Sequence, residues 1–185
     1  MKQKKQKVIA IIGPIASGKG TAADYFVKRG FKQITMSDFL RVEARKRKVK
    51  PDRTYFRKLQ AELRKKNGNN YLVDLAIKKV RENPKKNFII DGLRDYREAK
   101  YAKKKLKIKI ILVDASALVR FKRQKERARN GFSKTYHEFL HEDARENAIF
   151  DFHKTRKLAD FKINCDNGRD CLYQELGRLK SILGI

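Results

Sequence analysis

Cysteine is scarce in this sequence. Only Cys165 and Cys171 occur among its 185 residues. Two thiols cannot supply the four ligands of a structural zinc site, and a chain of this length does not depend on a single disulfide for its stability. We therefore expect both cysteines to be reduced thiols, which indicates a cytoplasmic location.

Long apolar segments are also missing. No run approaches the roughly 18 residues that a membrane helix requires, so we expect no membrane-spanning segment. The segment Met1–Ala16 imitates a secretory signal, because basic residues precede the apolar run Val8–Ile12. The glycine-rich segment Gly13–Thr21 follows at once, however. We therefore expect this apolar run to be a buried strand that leads into a glycine-rich turn.

Acidic residues are few relative to basic ones. The chain has 48 Lys and Arg against 21 Asp and Glu, which gives a formal net charge of +27. Such a charge predicts attraction to polyanions, including RNA and the ribosome. The alternative is a composition that is simply rich in lysine, because the basic residues run from Lys2 to Lys180 without an evident cluster.

Apolar runs alternate with amphipathic segments along the chain. The predicted strands are Val8–Ile12, Phe31–Met36, Phe88–Asp91, Ile108–Val113 and Phe161–Asn164. The predicted helices are Thr21–Arg29, one beginning near Asp38 after a Ser37 cap, Tyr55–Lys66, Tyr71–Val80, Tyr96–Lys105, Ala115–Ala128, Thr135–Ala148 and Cys171–Leu183. This alternation predicts an α/β fold with a mainly parallel sheet, in a single domain that spans residues 1–185.

A phosphate-binding loop follows the first predicted strand. Gly13 and Gly18 bracket four residues, and Lys19 comes next, as in the Walker A pattern. Backbone N–H groups of such a loop, here around Ala16 and Ser17, close on phosphate oxygens, and the helix N-terminus adds positive charge. Lys19 would place an ammonium on the β- and γ-phosphates. The segment therefore predicts a nucleoside triphosphate site.

The residues after the lysine narrow the type of loop. Lys19 is followed by Gly20 and only then by Thr21. This Lys-Gly-Thr form resembles the loop of adenylate kinases and related P-loop nucleoside monophosphate kinases. The resemblance implies ATP and Mg²⁺ as cofactors, with Thr21 at a phosphate beside a metal ion that is held largely through water.

The same resemblance implies an overall architecture. It predicts a P-loop NTPase three-layer sandwich with a five-stranded parallel sheet, in which the strand that ends at Asp91 lies next to Val8–Ile12. A helical insert at residues 51–83 would bind the acceptor. A short lid at residues 128–136 would close over the triphosphate and exclude water.

The segment Ile34–Arg41 matches the acceptor side of these kinases. It ends in Asp-x-Leu-Arg, which is formed here by Asp38 and Arg41 with two residues between them. In the resembling family this arginine grips the phosphate of the acceptor. The match therefore assigns that role to Arg41 and places Asp38 in the lining of the acceptor site.

A second match follows the third predicted strand. Phe88–Asp91 ends in a carboxylate, and Gly92 and Arg94 follow, which resembles the Asp-Gly-Phe-Pro-Arg segment of the family. Asp91 would lie at the carboxyl edge of the sheet, where it can hold the Mg²⁺ shell. Two arginines, Arg41 and Arg94, favour a phosphate acceptor. A phosphomonoester is already a nucleophile at neutral pH, so we expect a nucleoside monophosphate acceptor.

Basic residues also follow the fourth predicted strand. Arg120 and Arg123 fall three residues apart, on one helix face. In the resembling kinases this helix leads into the lid, which implies that Arg120 binds the nucleotide and Arg123 stabilises the transition state. The resemblance also places Arg129 and Gly131 at the hinge of the lid and Arg145 on its far side.

Two alternatives to this activity remain open. Dephospho-coenzyme A kinases share the phosphate loop but phosphorylate a sugar hydroxyl, for which Asp38 is the candidate base. The segment Ala159–Asn164 resembles their final strand and that of small archaeal P-loop proteins. The second alternative is an RNA- or ribosome-associated P-loop ATPase, which the net charge of +27 favours.

One short motif indicates different chemistry. The residues His137, Glu138 and His141 match the His-Glu-x-x-His pattern of zinc hydrolases, in which both imidazoles share a helix face. The match falls on a predicted helix after the lid, and a third ligand would be required. We expect it to be a chance occurrence.

Overall fold

The structure is a computed structural model that describes residues 6–127 and 133–185. Within these ranges the strands are β1 (Val8–Ile12), β2 (Lys32–Thr35), β3 (Phe88–Asp91), β4 (Lys109–Asp114) and β5 (Phe161–Asn164). The helices are α1 (Lys19–Val27), α2 (Met36–Lys46), α3 (Arg53–Asn67), α4 (Tyr71–Arg81), α5 (Tyr96–Leu106), α6 (Ala117–Glu126), α7 (Tyr136–Ile149), α8 (Phe152–Lys157) and α9 (Gly168–Leu183). No helix in these ranges is both long and apolar enough to cross a membrane.

The described strands form one five-stranded sheet in the order β2-β3-β1-β4-β5. Every neighbouring pair is parallel. Ile11 in β1 lies opposite Asp91 in β3, so the strand that ends at Asp91 is adjacent to β1 as predicted. Because all carboxyl ends of the strands meet at one edge, the loop after β1 and the end of β3 are brought together there.

The sheet is covered by helices on both faces, which explains why β1 is a continuous apolar run. Ala10 and Ile12 pack with residues of α2, α3, α4, α5 and α8 on one face. Ile9 and Ile11 pack with residues of α1 and α9 on the other. All four are at most 2% exposed, as expected for a parallel strand that is buried on both sides.

One local prediction is wrong, and one short helix was not predicted. Ser37 does not cap α2, because β2 continues directly into this helix and Thr35 occupies the cap position. The Ser37 hydroxyl instead accepts a hydrogen bond from Arg41 within the helix. The helix α8 was not predicted at all, because its six residues, with only Phe152 and Thr155 buried, are too few to show a helical period.

The predicted insert at residues 51–83 contains α3 and α4. Asp52 caps α3 by accepting a hydrogen bond of 2.6 Å from the backbone N–H of Tyr55. Near the other end of α3, Arg64 pairs with the buried Glu98 of α5 at 2.7 Å and with Asp95 at 3.4 Å. Burial raises the pKa of Glu98, and Arg64 opposes that rise. This ion pair holds the insert against the carboxyl edge of the sheet.

Candidate active site

The loop between β1 and α1 has the backbone that phosphate binding requires. Gly18 (φ 107°) and Ala16 (φ 59°) both adopt left-handed conformations. A Cβ at Gly13 would lie 2.1 Å from the carbonyl oxygen of Val113, and one at Gly18 would lie 3.1 Å from Sγ of Cys165. Only glycine fits at Gly13, because the tightly turned loop passes directly against β4.

Lys19 begins α1 and points back over the loop. Its ammonium donates a hydrogen bond of 2.6 Å to the carbonyl oxygen of Pro14. Burial, aided by the positive charge of Arg94, lowers the pKa of Lys19 to about 7, while Asp91 opposes the shift. The ammonium therefore lacks enough negative charge around it in the free protein, and an anionic ligand would supply that charge.

Two buried polar atoms at this edge lack a hydrogen-bond partner among the described residues: the hydroxyl oxygen of Ser17 and one carboxylate oxygen of Asp91. Burial raises the pKa of Asp91, although Lys19 and Arg94 pull it down. Unpaired buried polar groups are rare and call for an explanation. A phosphate at Ser17 and a hydrated Mg²⁺ at Asp91 would satisfy both atoms, so these residues fit the predicted cofactors.

A cavity of about 340 Å³ opens beside the loop. Lys19, Asp91 and Arg94 line one part of it. Residues of α2 and of the insert line another part: Ser37, Leu40, Arg41, Phe56, Arg57, Gln60 and Leu72. The structure thus brings the predicted acceptor residues Arg41 and Arg94 into the same cavity as the predicted phosphate-loop lysine.

Asp38 has a different surrounding from the one predicted. It is exposed and does not line this cavity. Its carboxylate accepts a hydrogen bond of 2.6 Å from Arg41, whose guanidinium also donates to Ser37 at 2.9 Å. In this structure Asp38 orients Arg41, and its predicted place in the acceptor lining stays a prediction.

The helical insert contributes residues that sequence reasoning did not single out. Phe56 and Arg57 on α3 line the cavity, and the guanidinium carbon of Arg41 lies 5.9 Å from the centre of the Phe56 ring. Arg57 is exposed and has no acidic partner among the described residues. The turn at Asn67–Asn70 marks the end of α3 in the sequence. No pattern within α3, however, shows which of its residues face the phosphate loop.

Arg94 lies in the cavity wall between β3 and α5. Its guanidinium donates a hydrogen bond of 3.1 Å to Glu146 of α7. The side chain remains 39% exposed, so a ligand can reach it. The structure therefore places Arg94 beside the loop, as its position after Asp91 predicted, and adds an acidic partner that lies 52 residues away in the chain.

The two arginines of α6 differ in their surroundings. Arg120 is 5% exposed and makes two hydrogen bonds of 2.7 Å to Asp143 of α7, besides one of 3.0 Å to the carbonyl oxygen of Ala115. Arg123 donates to the carbonyl oxygens of Ser17, at 3.3 Å, and Cys165. Arg123 thus braces the phosphate loop, whereas Arg120 ties α6 to α7.

The remaining predicted site residues are less informative. Thr21 is half-buried, and Gly20 is exposed with open space around its Cα. Arg145 is exposed on α7. Of the predicted lid at residues 128–136, only 133–136 are described, so Arg129 and Gly131 lie outside the described residues.

The zinc motif does not form a metal site in the part of the chain that the structure describes. The rings of His137 and His141 lie 4.6 Å apart, as the pattern predicted for one helix face. Glu138, however, forms a capping box with Thr135 at the start of α7. No group of three His, Cys, Asp or Glu side chains suited to a metal ion occurs among the described residues.

Comparison with solved structures supports the fold. The chain superposes on the shikimate kinase of Bacteroides thetaiotaomicron with a TM-score of 0.61 and 17% identity, over 97% of this chain and 99% of that one. For the protein TT1252 of Thermus thermophilus the TM-score is 0.63 at 21% identity, with the same coverage. At these identities the likeness shows the fold alone, and it confirms the five-stranded P-loop kinase fold.

Sequence comparison identifies the family. A family model described as AAA domain matches residues 12–141. The UPF0200 protein of Thermococcus sibiricus is 32% identical over 183 residues, which cover 96% of each chain. The UPF0200 protein of Pyrococcus horikoshii is 32% identical over 165 residues, which cover 85% of this chain and 88% of that one. This chain therefore belongs to the UPF0200 family, with a P-loop kinase-like domain of the AAA family.

Proposed function

We propose that this protein is an ATP- and Mg²⁺-dependent phosphotransferase that moves the γ-phosphoryl group of ATP to a nucleoside monophosphate. The observation that carries the proposal is the cavity of about 340 Å³, which joins Lys19 of the phosphate loop to Arg41 and Arg57. Those two guanidinium groups would hold a phosphate, and Phe56 offers a flat surface for a base.

The chemistry requires little from the protein beyond position and charge. A phosphomonoester with a second pKa of about 6 attacks without a general base. Lys19 and Arg94 would offset the negative charge that spreads over the transferred group, and Arg123 would keep the loop amides in place. Mg²⁺ held at Asp91 would neutralise charge on the phosphates.

A second candidate acceptor is a hydroxyl group, as in dephospho-coenzyme A kinases. The unpaired oxygen of Asp91 and the raised pKa of this carboxyl favour it, because a hydroxyl acceptor needs a base at the cavity. Asp91, rather than the exposed Asp38, would then take the proton.

An acceptor panel distinguishes the two candidates. The protein is incubated with Mg²⁺ and ATP that carries its label in the γ-phosphate. Each ribo- and deoxynucleoside monophosphate, and dephospho-coenzyme A, is added as acceptor in a separate reaction. A labelled nucleoside diphosphate supports the proposal, and labelled coenzyme A supports the second candidate. ATP hydrolysis that RNA stimulates, without any labelled acceptor, would instead favour the RNA-associated ATPase.

The cytoplasmic location stays a prediction.

Removing the guanidinium of Arg41 should weaken acceptor binding. We expect Arg41→Ala to raise the acceptor KM by about 10- to 100-fold, the range for losing a charged hydrogen bond, with a smaller change in kcat. Lys46→Ala on the same helix is the control. Lys46 is exposed, does not line the cavity, and makes only a long ion pair of 3.8 Å with Glu43 among the described residues. Steady-state kinetics with varied acceptor measure both constants, and an unchanged acceptor KM in Arg41→Ala would remove this assignment.

Nucleotide binding should be linked to proton uptake by Lys19. With a pKa of about 7, Lys19 is mostly neutral at pH 8 in the free protein. The phosphates of ATP would restore the charged form, so binding at pH 8 should take up close to one proton, and affinity should fall as the pH rises above 7.

Titration calorimetry in Hepes and Tris buffers measures this proton, because the two buffers differ in their heat of ionisation and neither contains a phosphate group that would compete for the loop. Lys19→Met keeps an unbranched side chain that is one atom shorter and removes the titrating group, so the buffer dependence should disappear in that variant. Equal binding heats in both buffers for the unmodified protein would contradict the expectation.

A further inference from the structure

Three neighbouring helices on one side of the fold carry a large excess of positive charge. The helices α4, α5 and α8 pack on the same face of the sheet. Among their exposed residues nine are Lys or Arg, one is His and one is Asp. The exposed residues are Asp74, Lys78, Lys79, Arg81, Arg97, Lys100, Lys104, Lys105, His153, Lys154 and Lys157. We call the nine lysines and arginines the basic face.

The helices on the opposite face of the sheet carry a smaller positive excess, although the exposed Lys28 and Arg29 follow α1 directly. That face is covered by α1 and α9. Their exposed charged residues are three basic and two acidic ones: Arg169, Arg178, Lys180, Asp24 and Asp170. A composition that was uniformly rich in lysine would have charged both faces alike, so it does not account for this difference.

The basic face is also poorly neutralised within the protein. Among the described residues, Lys78 lies 3.9 Å from Glu82 and Lys154 lies 3.2 Å from Asp151. No acidic side chain lies within ion-pair distance of the other seven members in that part of the chain. The helix dipole explains lysines only in a last helical turn, whereas Arg97 and Lys100 stand earlier in α5.

The basic face is separate from the candidate active site. None of its nine residues lines the candidate cavity, and the last turns of α4 and α5 lie at the edge of the sheet opposite the phosphate loop. The hydroxyl of Tyr101 in α5 donates a hydrogen bond of 2.9 Å to Asp74 in α4, which fixes the two helices side by side. Their lysines therefore form one continuous surface.

We propose that the basic face binds the phosphate backbone of a nucleic acid. The spaced lysines would contact successive phosphates and release their counterions. An anionic membrane is disfavoured, because membrane-binding basic helices also carry exposed apolar side chains. The large hydrophobic residues that are exposed among the described residues lie outside α4, α5 and α8: Val27, Val42, Val49, Leu118, Tyr136, Leu140, Ile149 and Ile182.

Three charge-removing substitutions on α5 test the proposal. The test variant combines Lys100→Gln, Lys104→Gln and Lys105→Gln, because glutamine keeps helix propensity. The control variant combines Lys122→Gln, Lys134→Gln and Arg178→Gln, which removes the same charge from exposed positions elsewhere. Fluorescence anisotropy measures binding of a labelled oligonucleotide of about 20 nucleotides, as RNA and as DNA, between about 50 and 200 mM salt.

We expect the unmodified protein to bind in the micromolar range and to lose affinity steeply with salt. The test variant should bind about tenfold or more weakly, with a log–log salt slope shallower by about 2 on single strands, since each contact contributes about 0.7. The control should change by less than about threefold. Tighter binding of either RNA or DNA supports the proposal and identifies the nucleic acid.

Other results would overturn it. Equal weakening in the two variants would mean that net charge alone attracts the oligonucleotide. Undetectable binding at 50 mM salt, or tighter binding to phosphatidylserine vesicles than to RNA and DNA, would also reject the basic face as a nucleic-acid site. Thermal melting of both variants checks that any loss does not come from unfolding.

Discussion

Lys19→Ala should lower kcat for phosphoryl transfer by about 10³-fold or more, while leaving the fold intact. The reason is that Lys19 supplies a preorganised positive charge beside the transferred phosphoryl group, and this charge stabilises the transition state. The fold should persist because the Lys19 side chain makes a single hydrogen bond, to Pro14, among the described residues. A phosphoryl-transfer assay with the acceptor found in the panel measures kcat.

The stability of this variant provides an internal check. Burial lowers the pKa of Lys19 to about 7 from 10.5, so folding weakens proton binding at this group. Its buried charge therefore destabilises the folded state fully below pH 7, and this cost is relieved as the pH rises from 7 toward 10.5. At pH 6 we expect Lys19→Ala to melt at or above the temperature of the unmodified protein. Retained turnover in a folded variant would remove the proposed mechanism.

The carboxyl edge of the sheet could be predicted from sequence for a simple reason. Each of its elements is local: an apolar strand, then glycines and Lys19, or an apolar strand that ends in Asp91. In a parallel sheet these ends meet at one edge whatever the rest of the chain does. The adjacency of β1 and the strand that ends at Asp91 followed from the family resemblance and was confirmed, but strand periodicity alone would not have supplied it.

The surroundings of the charged side chains could not be predicted. Arg120 and Asp143 lie 23 residues apart in the chain, and Arg94 and Glu146 lie 52 apart. No short spacing encodes such pairs, because they depend on how α7 packs against α6 and the loop after β3. The basic face is similar: basic residues occur throughout the sequence, and only the fold shows that those of α4, α5 and α8 lie on neighbouring helices.

Three acidic groups now stand beside arginines to which the resemblance assigned phosphates. Asp143 binds Arg120, Glu146 binds Arg94, and Asp38 binds Arg41. Carboxylates and phosphates compete for the same guanidinium fork. The three arginines differ in exposure. Arg41 and Arg94 are exposed enough to exchange their carboxylate partners for a ligand, whereas the buried Arg120 stays paired with Asp143.

Arg120→Ala should therefore destabilise the protein more than any other single arginine change at the site. It would leave the Asp143 carboxylate, whose side chain is 15% exposed, without its partner, and it would remove the guanidinium that lies 5.2 Å from the centre of the Phe139 ring. Breaking a buried ion pair costs about 3–5 kcal/mol. For a chain of this length that lowers Tm by about 10 °C, which calorimetry can measure.

Two comparison variants separate a structural role of Arg120 from nucleotide binding. Arg123→Ala should lower Tm far less, because Arg123 donates to carbonyl oxygens and its loss strands no carboxylate. The double variant Arg120→Leu with Asp143→Leu should recover most of the lost stability, since it removes both charges together. If Arg120→Ala instead kept its Tm and lost only ATP affinity, Arg120 would act on the nucleotide, as the family resemblance implies, and the ion pair with Asp143 would open when ATP binds.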